Sequence, residues 1–454
     1  MTDQLASPTN DLDGRDATEP VGLVPFSVID EAVHLLDTEA APWSIQLEVR
    51  LEGRIDEDRL RSALLHAASR HPMARARKKP SRRTARFDNW EIPAAFDLDP
   101  VRVVHCADDE AVAQTRARFQ SFPVPLAESP PLRVRVARAP AGDTVMVNVN
   151  HAAMDAYGVL RLLRSVARAY TGEDDPLPAL DFNQVRDLPK RLAAPTLGIR
   201  VRRQLVLLEK LRDLAKPPAR LAPDGATKDT GYGFQLIQLS AADTKALLAL
   251  VHPGTVNDVL LAALHRSIAG WNQDHAAPCA RIGVLVPANL RPPEWRYEMI
   301  GNFSLPTRIA TSSRARETPA STLRSVTTQT RRKKKVGIGT ALIELLGNSK
   351  LLPLWVKQVM VLATPLTGNR LVDTAMLSNL GVLRDVPSFG PESGAVTGLW
   401  FSPPARMPLG LAIGVATIGE QLNLSLRYRR RLWDADAARR FTDRYLADIS
   451  SYLG

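Results

Sequence analysis

The stretch DTVMVNVNHAAMDAYGVLRLLRSVARAY, residues 143–170, constrains the fold more than any other part of the chain. Valines occupy every second position up to Asn150, which is the period of a half-buried strand. From Val159 onward, apolar residues recur at helical spacing. His151 is therefore predicted to lie where a strand ends and a short connection leads into a helix. Such connections, held by rigid elements, are favoured positions for catalytic groups.

The length of the chain predicts two structural halves. Its 454 residues exceed what one hydrophobic core ordinarily fills. A stretch containing Pro and Gly, 217–232, is the best candidate for a linker. We expect a disordered leader at 1–22, an N-terminal lobe at 23–216 and a C-terminal lobe at 233–454. Strand and helix patterns alternate in both halves, which predicts a mixed α/β fold.

Composition favours a soluble, cytoplasmic protein. The apolar fraction of 45% and the charged fraction of 24% are typical of globular domains. Two distant cysteines, Cys106 and Cys279, suit a reducing compartment. The leader is polar and acidic, unlike a signal or transit peptide. The longest apolar stretch, 351–366, is too short to cross a bilayer, so we expect membrane contact to be peripheral at most.

The net charge of +11 favours a polyanionic partner, such as nucleic acid, anionic lipid, a nucleotide or an acidic protein. Much of it is concentrated at 74–86 and in RRKKK, 331–335. Solvated loops in an arginine-rich chain explain these clusters equally well. The sequence has no zinc-finger spacing, basic zipper or RNP-like segment, so nucleic acid is not an expected partner.

Several standard catalytic motifs are missing from the sequence. It contains no G-x-S-x-G elbow, no phosphate-binding P-loop and no complete dinucleotide fingerprint. The spacing of its histidines and cysteines predicts no metal site. His151 remains the best chemical candidate, although a lone histidine at a strand end more often has a structural role. Asp155 could equally be a helix cap.

The segment NHAAMDAYG, 150–158, resembles the HxxxD signature of the CoA-dependent acyltransferase superfamily. This superfamily includes chloramphenicol acetyltransferase, plant BAHD enzymes, condensation domains of nonribosomal peptide synthetases, wax ester synthases and polyketide-associated acyltransferases. The resemblance extends from Val24 to the C-terminus. The other segments that resemble the family are, in order, VPFSVIDEAVHLLD (24–37), RLRSALLHAASRHP (59–72), PPLRVRVAR (130–138), TVNDVLLAALHRSI (255–268), VPANLR (286–291), GNFSLP (301–306) and LSNLG (377–381).

The resemblance implies a fold of two chloramphenicol-acetyltransferase-like lobes. Each lobe would be a mixed sheet flanked by helices, and an active-site tunnel would run between the lobes. The LSNLG strand, near 374–381, would cross from the second lobe and complete the sheet of the first.

The resemblance also implies roles for individual residues. His151 would be the catalytic general base, because acyl transfer needs a base within roughly 3 Å of the attacking group. Asp155 would turn away from the substrate and pair with Arg291, which fixes the loop. Gly158 would allow close packing where the helix begins. Candidate contacts to substrate or to an oxyanion are Asn150, Asn257 (which follows Val256 in TVNDV), Ser378 and Asn379.

Three features depart from the family pattern. Asn150 stands where many members have a second histidine, and Ala156 stands where a glycine commonly follows the aspartate. The BAHD element D-F-G-W-G is absent, with PSFG, 387–390, as a vestige. The absence of the BAHD element argues against the plant branch and for a free-standing bacterial-type acyltransferase or condensation enzyme.

The expected activity is transfer of an acyl group from a thioester to the hydroxyl or amine of a small molecule, in secondary-metabolite or lipid biosynthesis. The donor would be acyl-CoA, with basic residues meeting its phosphates, or an acidic acyl carrier protein. No cofactor would be bound permanently, since the phosphopantetheine-linked acyl group is a substrate. The alternatives are a carrier-dependent condensation enzyme, a wax ester or glycerolipid synthase anchored at an interface by 351–366 and RRKKK, and a non-catalytic relative that binds a small ligand.

Overall fold

The computed structural model describes most of the chain. The described residues are 22–39, 41–82, 84–178, 182–194, 196–201, 203–205, 216–250, 254–292, 295, 297–336, 338–349, 352–362, 370 and 372–453. Apart from Gly22, the predicted disordered leader lies outside them. So does most of 197–216, which the sequence predicts to be helical; within it, residues 197–201 and 203–205 are helical.

Helices and strands alternate along the chain. The helices are α1 (Val28–Leu36), α2 (Glu57–Arg70), α3 (Pro72–Arg75), α4 (Asp109–Ser121), α5 (Ala156–Thr171), α6 (Phe182–Arg186), α7 (Leu188–Arg191), α8 (Ala241–Ala249), α9 (Val256–Asp274), α10 (Pro319–Val336), α11 (Ile338–Ser349), α12 (Leu354–Leu362) and α13 (Ala435–Ser450). The strands are β1 (Leu23–Pro25), β2 (Ser44–Leu51), β3 (Arg77–Lys79), β4 (Asn89–Glu91), β5 (Val101–His105), β6 (Leu132–Ala139), β7 (Gly142–Asn150), β8 (Tyr232–Gln238), β9 (Arg281–Asn289), β10 (Ser304–Ser312), β11 (Ala375–Leu383), β12 (Val396–Ser402), β13 (Leu411–Ile418) and β14 (Gln421–Arg429).

The first lobe is built on a five-stranded sheet in the order β12-β2-β7-β6-β5. It is mixed, because β5 runs parallel to β6 while the other neighbours are antiparallel. Helices α2 and α5 pack together on one face, and α4 packs against β6 and β7. Every residue of the central strand β7 is buried. The strand that leads to His151 is therefore held on both sides and both faces.

The second lobe is built on a six-stranded mixed sheet in the order β10-β9-β11-β13-β14-β8. Helix α9 packs against α10 and α13, and it also contacts β9. Its buried face joins a core that includes Leu261, Trp271, Trp433 and Phe441. The chain is thus a two-lobed α/β protein, with helices flanking each large sheet. A small third sheet, β1-β4-β3, completes the fold.

The strand that crosses between the lobes is β12. It pairs antiparallel with β2 in the first lobe, with Trp400 opposite Glu48. Its backbone also lies against β13, since a Cβ on Gly414 would stand 1.8 Å from the carbonyl oxygen of Phe401. The prediction that LSNLG crosses is wrong, because β11 pairs in parallel with β9 and β13 inside the second sheet. A strand's periodicity identifies its buried face but does not identify its neighbours.

Within the described ranges, no helix has the length and apolar character needed to cross a membrane. The apolar stretch 351–366 contributes α12, and the described part of it is tied to the first lobe. Lys357 of this helix is buried and donates to both carboxylate oxygens of Glu31, at 2.8 and 2.9 Å. The described residues also contain no cluster of three or more His, Cys, Asp or Glu side chains arranged to hold a metal ion.

Candidate active site

His151 lies in a short turn between β7 and α5. Its backbone N–H donates to the carbonyl of Trp43 at 2.9 Å, which continues the β2–β7 ladder by one residue. The turn then closes through a bond from the Ala153 N–H to the Asn150 carbonyl at 3.0 Å. Asp155 caps α5, because its carboxylate accepts from the Gly158 N–H at 3.0 Å. A buried strand and a capped helix thus fix both ends of the turn.

The imidazole of His151 has a defined tautomer. Its Nδ1 atom lies 3.2 Å from the carbonyl oxygen of Met154. A carbonyl can only accept a hydrogen bond, so Nδ1 carries the proton and Nε2 has a free lone pair. Burial lowers the pKa of His151, and the nearby Asp155 charge opposes this shift in part. The ring is therefore neutral at pH 7, as a general base requires.

Asp155 and Arg291 form a buried ion pair with two parallel hydrogen bonds, at 2.7 and 2.8 Å. Oδ2, the carboxylate oxygen of the 2.7 Å bond, also accepts from the Phe303 N–H and the Ser304 hydroxyl, at 3.0 and 3.1 Å. Burial alone would raise the pKa of Asp155, but the Arg291 guanidinium and these donors hold it below its usual value. Asp155 is therefore a carboxylate that joins the lobes, and its bonds are to structural groups.

Arg291 is held as firmly as its partner. The guanidinium donates to the carbonyls of Met299 and Gly301, at 2.9 and 3.1 Å. It also lies over the ring of Phe303, 4.5 Å from its centroid. These contacts anchor the connection between β9 and β10 against the helix that follows His151.

Asn302, in the same connection, supports the turn directly. Its side-chain amide donates to the carbonyls of His151 and Ala152, each at 2.7 Å. No local sequence pattern marks this residue as a support of the turn, although it lies in the GNFSLP segment. The second lobe therefore contacts the backbone of the candidate base itself.

Gly158 lies where the two lobes are in close contact. A Cβ there would stand 3.0 Å from the Met154 Cβ and 3.3 Å from the backbone nitrogen of Gly301. Gly301 itself has a φ of +151°, which disfavours a side chain. A side chain at either position would force its neighbours to shift, so the glycines permit the contact that positions Arg291 beside Asp155.

Asn150 has a structural environment. Its amide nitrogen donates to Asp37 at 2.7 Å and to the Val124 carbonyl at 2.9 Å, and its oxygen accepts from the Ala152 N–H at 3.0 Å. The other oxygen of Asp37 accepts from the Trp43 N–H at 2.8 Å. Burial raises the pKa of Asp37, although the hydrogen bonds from Trp43 and Asn150 act to lower it. Asp37, at the end of HLLD, is a second supporting residue that sequence reasoning missed.

The remaining candidates lie on the second lobe. Ser378 and Asn379 are half-buried on β11, and the Asn379 oxygen accepts from the Gly381 N–H at 2.7 Å. The hydroxyl of Tyr157 donates to the Leu380 carbonyl at 3.2 Å, which ties this strand to the first turn of α5. Asn257 is half-buried in the first turn of α9, after Val256. Among the described contacts, none joins Asn257 to His151.

Comparison with known proteins identifies related sequences and folds. A family profile described as "Condensation domain" matches residues 32–340. An uncharacterized protein found in two strains of Mycobacterium tuberculosis is 36% identical over 434 residues, covering 92% of this chain and 97% of that protein.

Two solved structures have a similar fold over nearly the whole chain. The first condensation domain of the CDA synthetase has a TM-score of 0.70 at 15% identity, covering 96% of this chain and 97% of that one. The epimerization domain from the third module of tyrocidine synthetase B has a TM-score of 0.67 at 18% identity, with the same coverage of 96% and 97%.

Proposed function

Because this chain belongs to the condensation domain family, we propose that it is a condensation-type acyltransferase that takes its acyl group from a carrier protein. The acyl group leaves the phosphopantetheine thioester of the carrier and joins the amine or hydroxyl of an acceptor. The observation that carries this proposal is the bond between His151 Nδ1 and the Met154 carbonyl. It leaves Nε2 as an unprotonated base at the point where the two lobes meet.

His151 would act at both ends of the reaction. Nε2 accepts the proton of the acceptor N–H or O–H as that atom attacks the thioester carbonyl. The tetrahedral intermediate then collapses, the C–S bond breaks, and the proton passes from the imidazolium to the leaving thiolate. The new amide or ester and a free thiol are the products. No acyl-enzyme is formed, so the protein needs no nucleophile of its own.

Asp155, Arg291 and Asn302 would keep the base in place during this cycle. The ion pair fixes the start of α5, and Asn302 fixes the carbonyls of the turn. Catalysis by a positioned base is sensitive to small displacements, since misplacement by about 1 Å can cost a hundredfold in rate. This explains why a buried charge pair lies beside a base that it does not touch.

Family membership favours a carrier protein over free acyl-CoA as the donor. The matching profile is described as a condensation domain, and both solved structures compared above are named as domains of synthetases. The net charge of +11 complements an acidic protein surface and the phosphates of CoA alike, so it does not distinguish the two donors. The lobes meet at His151, and the tunnel that the family resemblance implies would bring donor and acceptor there from opposite sides.

The identity of the donor can be tested with the same acyl chain attached to a carrier protein and to CoA. Thiol release would be followed with the acyl group on a holo carrier protein and on CoA, with amine and hydroxyl acceptors. We expect a higher kcat/KM with the carrier. A higher kcat/KM with CoA would reassign the donor. Binding of acyl carrier without acceptor-dependent thiol release, across the panel, would identify a non-catalytic relative.

A further inference from the structure

A concave site lies on the first lobe, apart from the residues that surround His151. It is formed by β5, β6 and the last turns of α4, and its volume is about 580 Å³. Pockets of roughly 300–1,000 Å³ are typical for small-molecule ligands. We call this site the arginine groove, after Arg102, Arg118, Arg133 and Arg135, which line it.

Three of these arginines come from adjacent positions of the sheet. Arg102 of β5 is the direct cross-strand neighbour of Arg135 of β6. Arg133 is two residues before Arg135, so both side chains emerge on the same face of β6. Like charges placed directly opposite each other destabilise a sheet. Burial and the Arg102 charge both lower the pKa of Arg135, which is the expected response of a cation in an unfavourable position.

Only part of this positive charge is neutralised within the protein. Arg102 donates to Asp99 at 2.9 Å, and Arg133 donates to Glu128 at 2.7 Å. In the described part of the chain, no carboxylate forms an ion pair with Arg118 or Arg135. The guanidinium of Arg135 lies 5.4 Å from the centroid of the Phe119 ring instead. Two cations are thus left to face the groove with donors available.

The groove also has an apolar wall whose backbone is fixed. Phe122 follows α4 and is 60% exposed, which is unusual for a phenylalanine. The Asn148 side chain donates to the carbonyls of Phe119 and Phe122, each at 3.1 Å. Asn148 is buried in β7. The exposed ring is therefore presented by a rigid segment, and its exposure does not result from a loose loop.

We propose that the arginine groove binds a small amphiphilic phosphate, an alkyl or aryl phosphate monoester. The phosphate lies against Arg118 and Arg135, and the apolar part lies on Phe122. Arg118 of α4 and Arg135 of β6 line the same groove, so both guanidinium groups can face one compact anion, which a phosphate matches better than the spaced carboxylates of an acidic helix. This binding site is independent of the proposed acyl transfer, because none of its residues contacts the turn that bears His151.

Calorimetric titration of the full chain tests the proposal, with octyl phosphate, inorganic phosphate and octanol as probes. We expect octyl phosphate to bind roughly tenfold or more tightly than either of the others. Arg118→Gln and Arg135→Gln should each weaken its binding roughly tenfold or more, as for loss of a charge-assisted hydrogen bond. Arg439→Gln removes a charge from an exposed pair on α13 and is the matched control.

Phe122→Ala separates the two parts of the ligand. It should weaken the binding of octyl phosphate and leave the affinity for inorganic phosphate unchanged. Arg118 is exposed on α4, so its variant tests the site even if Arg135→Gln does not fold. Wild-type affinity in both arginine variants, or equal weakening by Arg439→Gln, would overturn the proposal. Displacement of octyl phosphate by a tighter-binding acidic helical peptide would reassign the groove to protein docking.

Discussion

Asp155 and Arg291 come from different lobes and are joined by hydrogen bonds of 2.7 and 2.8 Å, with both side chains almost completely buried. Burying two charges costs desolvation energy that their attraction roughly balances, so such a pair contributes little net stability. Its value lies in geometry. The pair fixes the first turn of α5, four residues after the candidate base, against the second lobe.

Removing either partner should be costly because the other charge is left buried. We expect Asp155→Ala and Arg291→Ala each to lower the free energy of unfolding by about 3–5 kcal/mol. The double variant should lose less unfolding free energy than the sum of the losses in the two single variants, because the ion pair is lost only once. Chemical denaturation and turnover, measured on the same preparations, would check this cycle.

Asp155→Asn distinguishes this account from a catalytic role for the carboxylate. If Asp155 positions the turn, stability and turnover fall together. Lost turnover with an unchanged melting temperature would mean that Asp155 acts on His151 as a triad carboxylate does. Additive effects in the double variant would exclude the pair as a coupled unit.

Local sequence patterns predict the elements that present His151. The valine alternation ends at Asn150 as β7 does, and Asp56, an acidic residue directly before the first residue of α2, caps that helix. Both features depend on residues a few positions apart, so they can be recognised along the chain. The final helix, α13, likewise begins directly after its cap Asp434.

Long-range partners are what the sequence does not reveal. LSNLG reads as a strand, but which strands flank it depends on residues far away in the chain. Asn302 supports the turn by bonding to His151, which lies 151 residues away in the chain. Asp37 supports it by bonding to Asn150, 113 residues away. Neither has a local pattern that marks it. Asn150 is a candidate substrate contact by resemblance, but its side chain is hydrogen-bonded to protein groups, some of them distant in the chain.

Asn150→Ala should test the support from Asp37. It removes one donor from a half-buried carboxylate, so we expect a loss of about 1–3 kcal/mol in unfolding free energy. Turnover should fall between about tenfold and about a hundredfold as the turn relaxes. The midpoint of the pH–rate profile should not move, because Asn150 does not contact the imidazole. A shifted midpoint would give Asn150 a chemical role; Gln114→Ala, which removes an exposed amide, is the control.

The pH dependence of turnover should report the lowered pKa of His151. Burial disfavours the imidazolium, so the base stays neutral to lower pH than a free histidine does. We expect kcat/KM to fall as the pH drops, with a midpoint below about 6.5. NMR titration of the His151 ring would assign that midpoint. A midpoint above this value would show that an opposing charge dominates the site.

Stability should also decline in mild acid, through two other histidines. Burial is the main cause that lowers the pKa of His71 and of His265 to about 3. Below about pH 6.5 the unfolded chain binds protons that the folded chain does not. The free energy of unfolding therefore decreases as the pH is lowered, by up to ~1.4 kcal/mol per pH unit for each histidine. His265→Gln should reduce this slope between about pH 6 and about pH 4. An unchanged slope would contradict the assignment; His66→Gln, at an exposed position, is the control.

The central claim is that His151 is the general base of acyl transfer, and its removal tests this most directly. Thiol release from an acyl carrier protein, with acceptor present, would be compared for wild type, His151→Ala and the exposed-site control His66→Ala. We predict that His151→Ala lowers turnover roughly 10²- to 10⁴-fold with its melting temperature preserved, and that His66→Ala has no effect. A His151→Ala protein that turns over within about threefold of wild type would contradict the account, because no base at that position would then be needed.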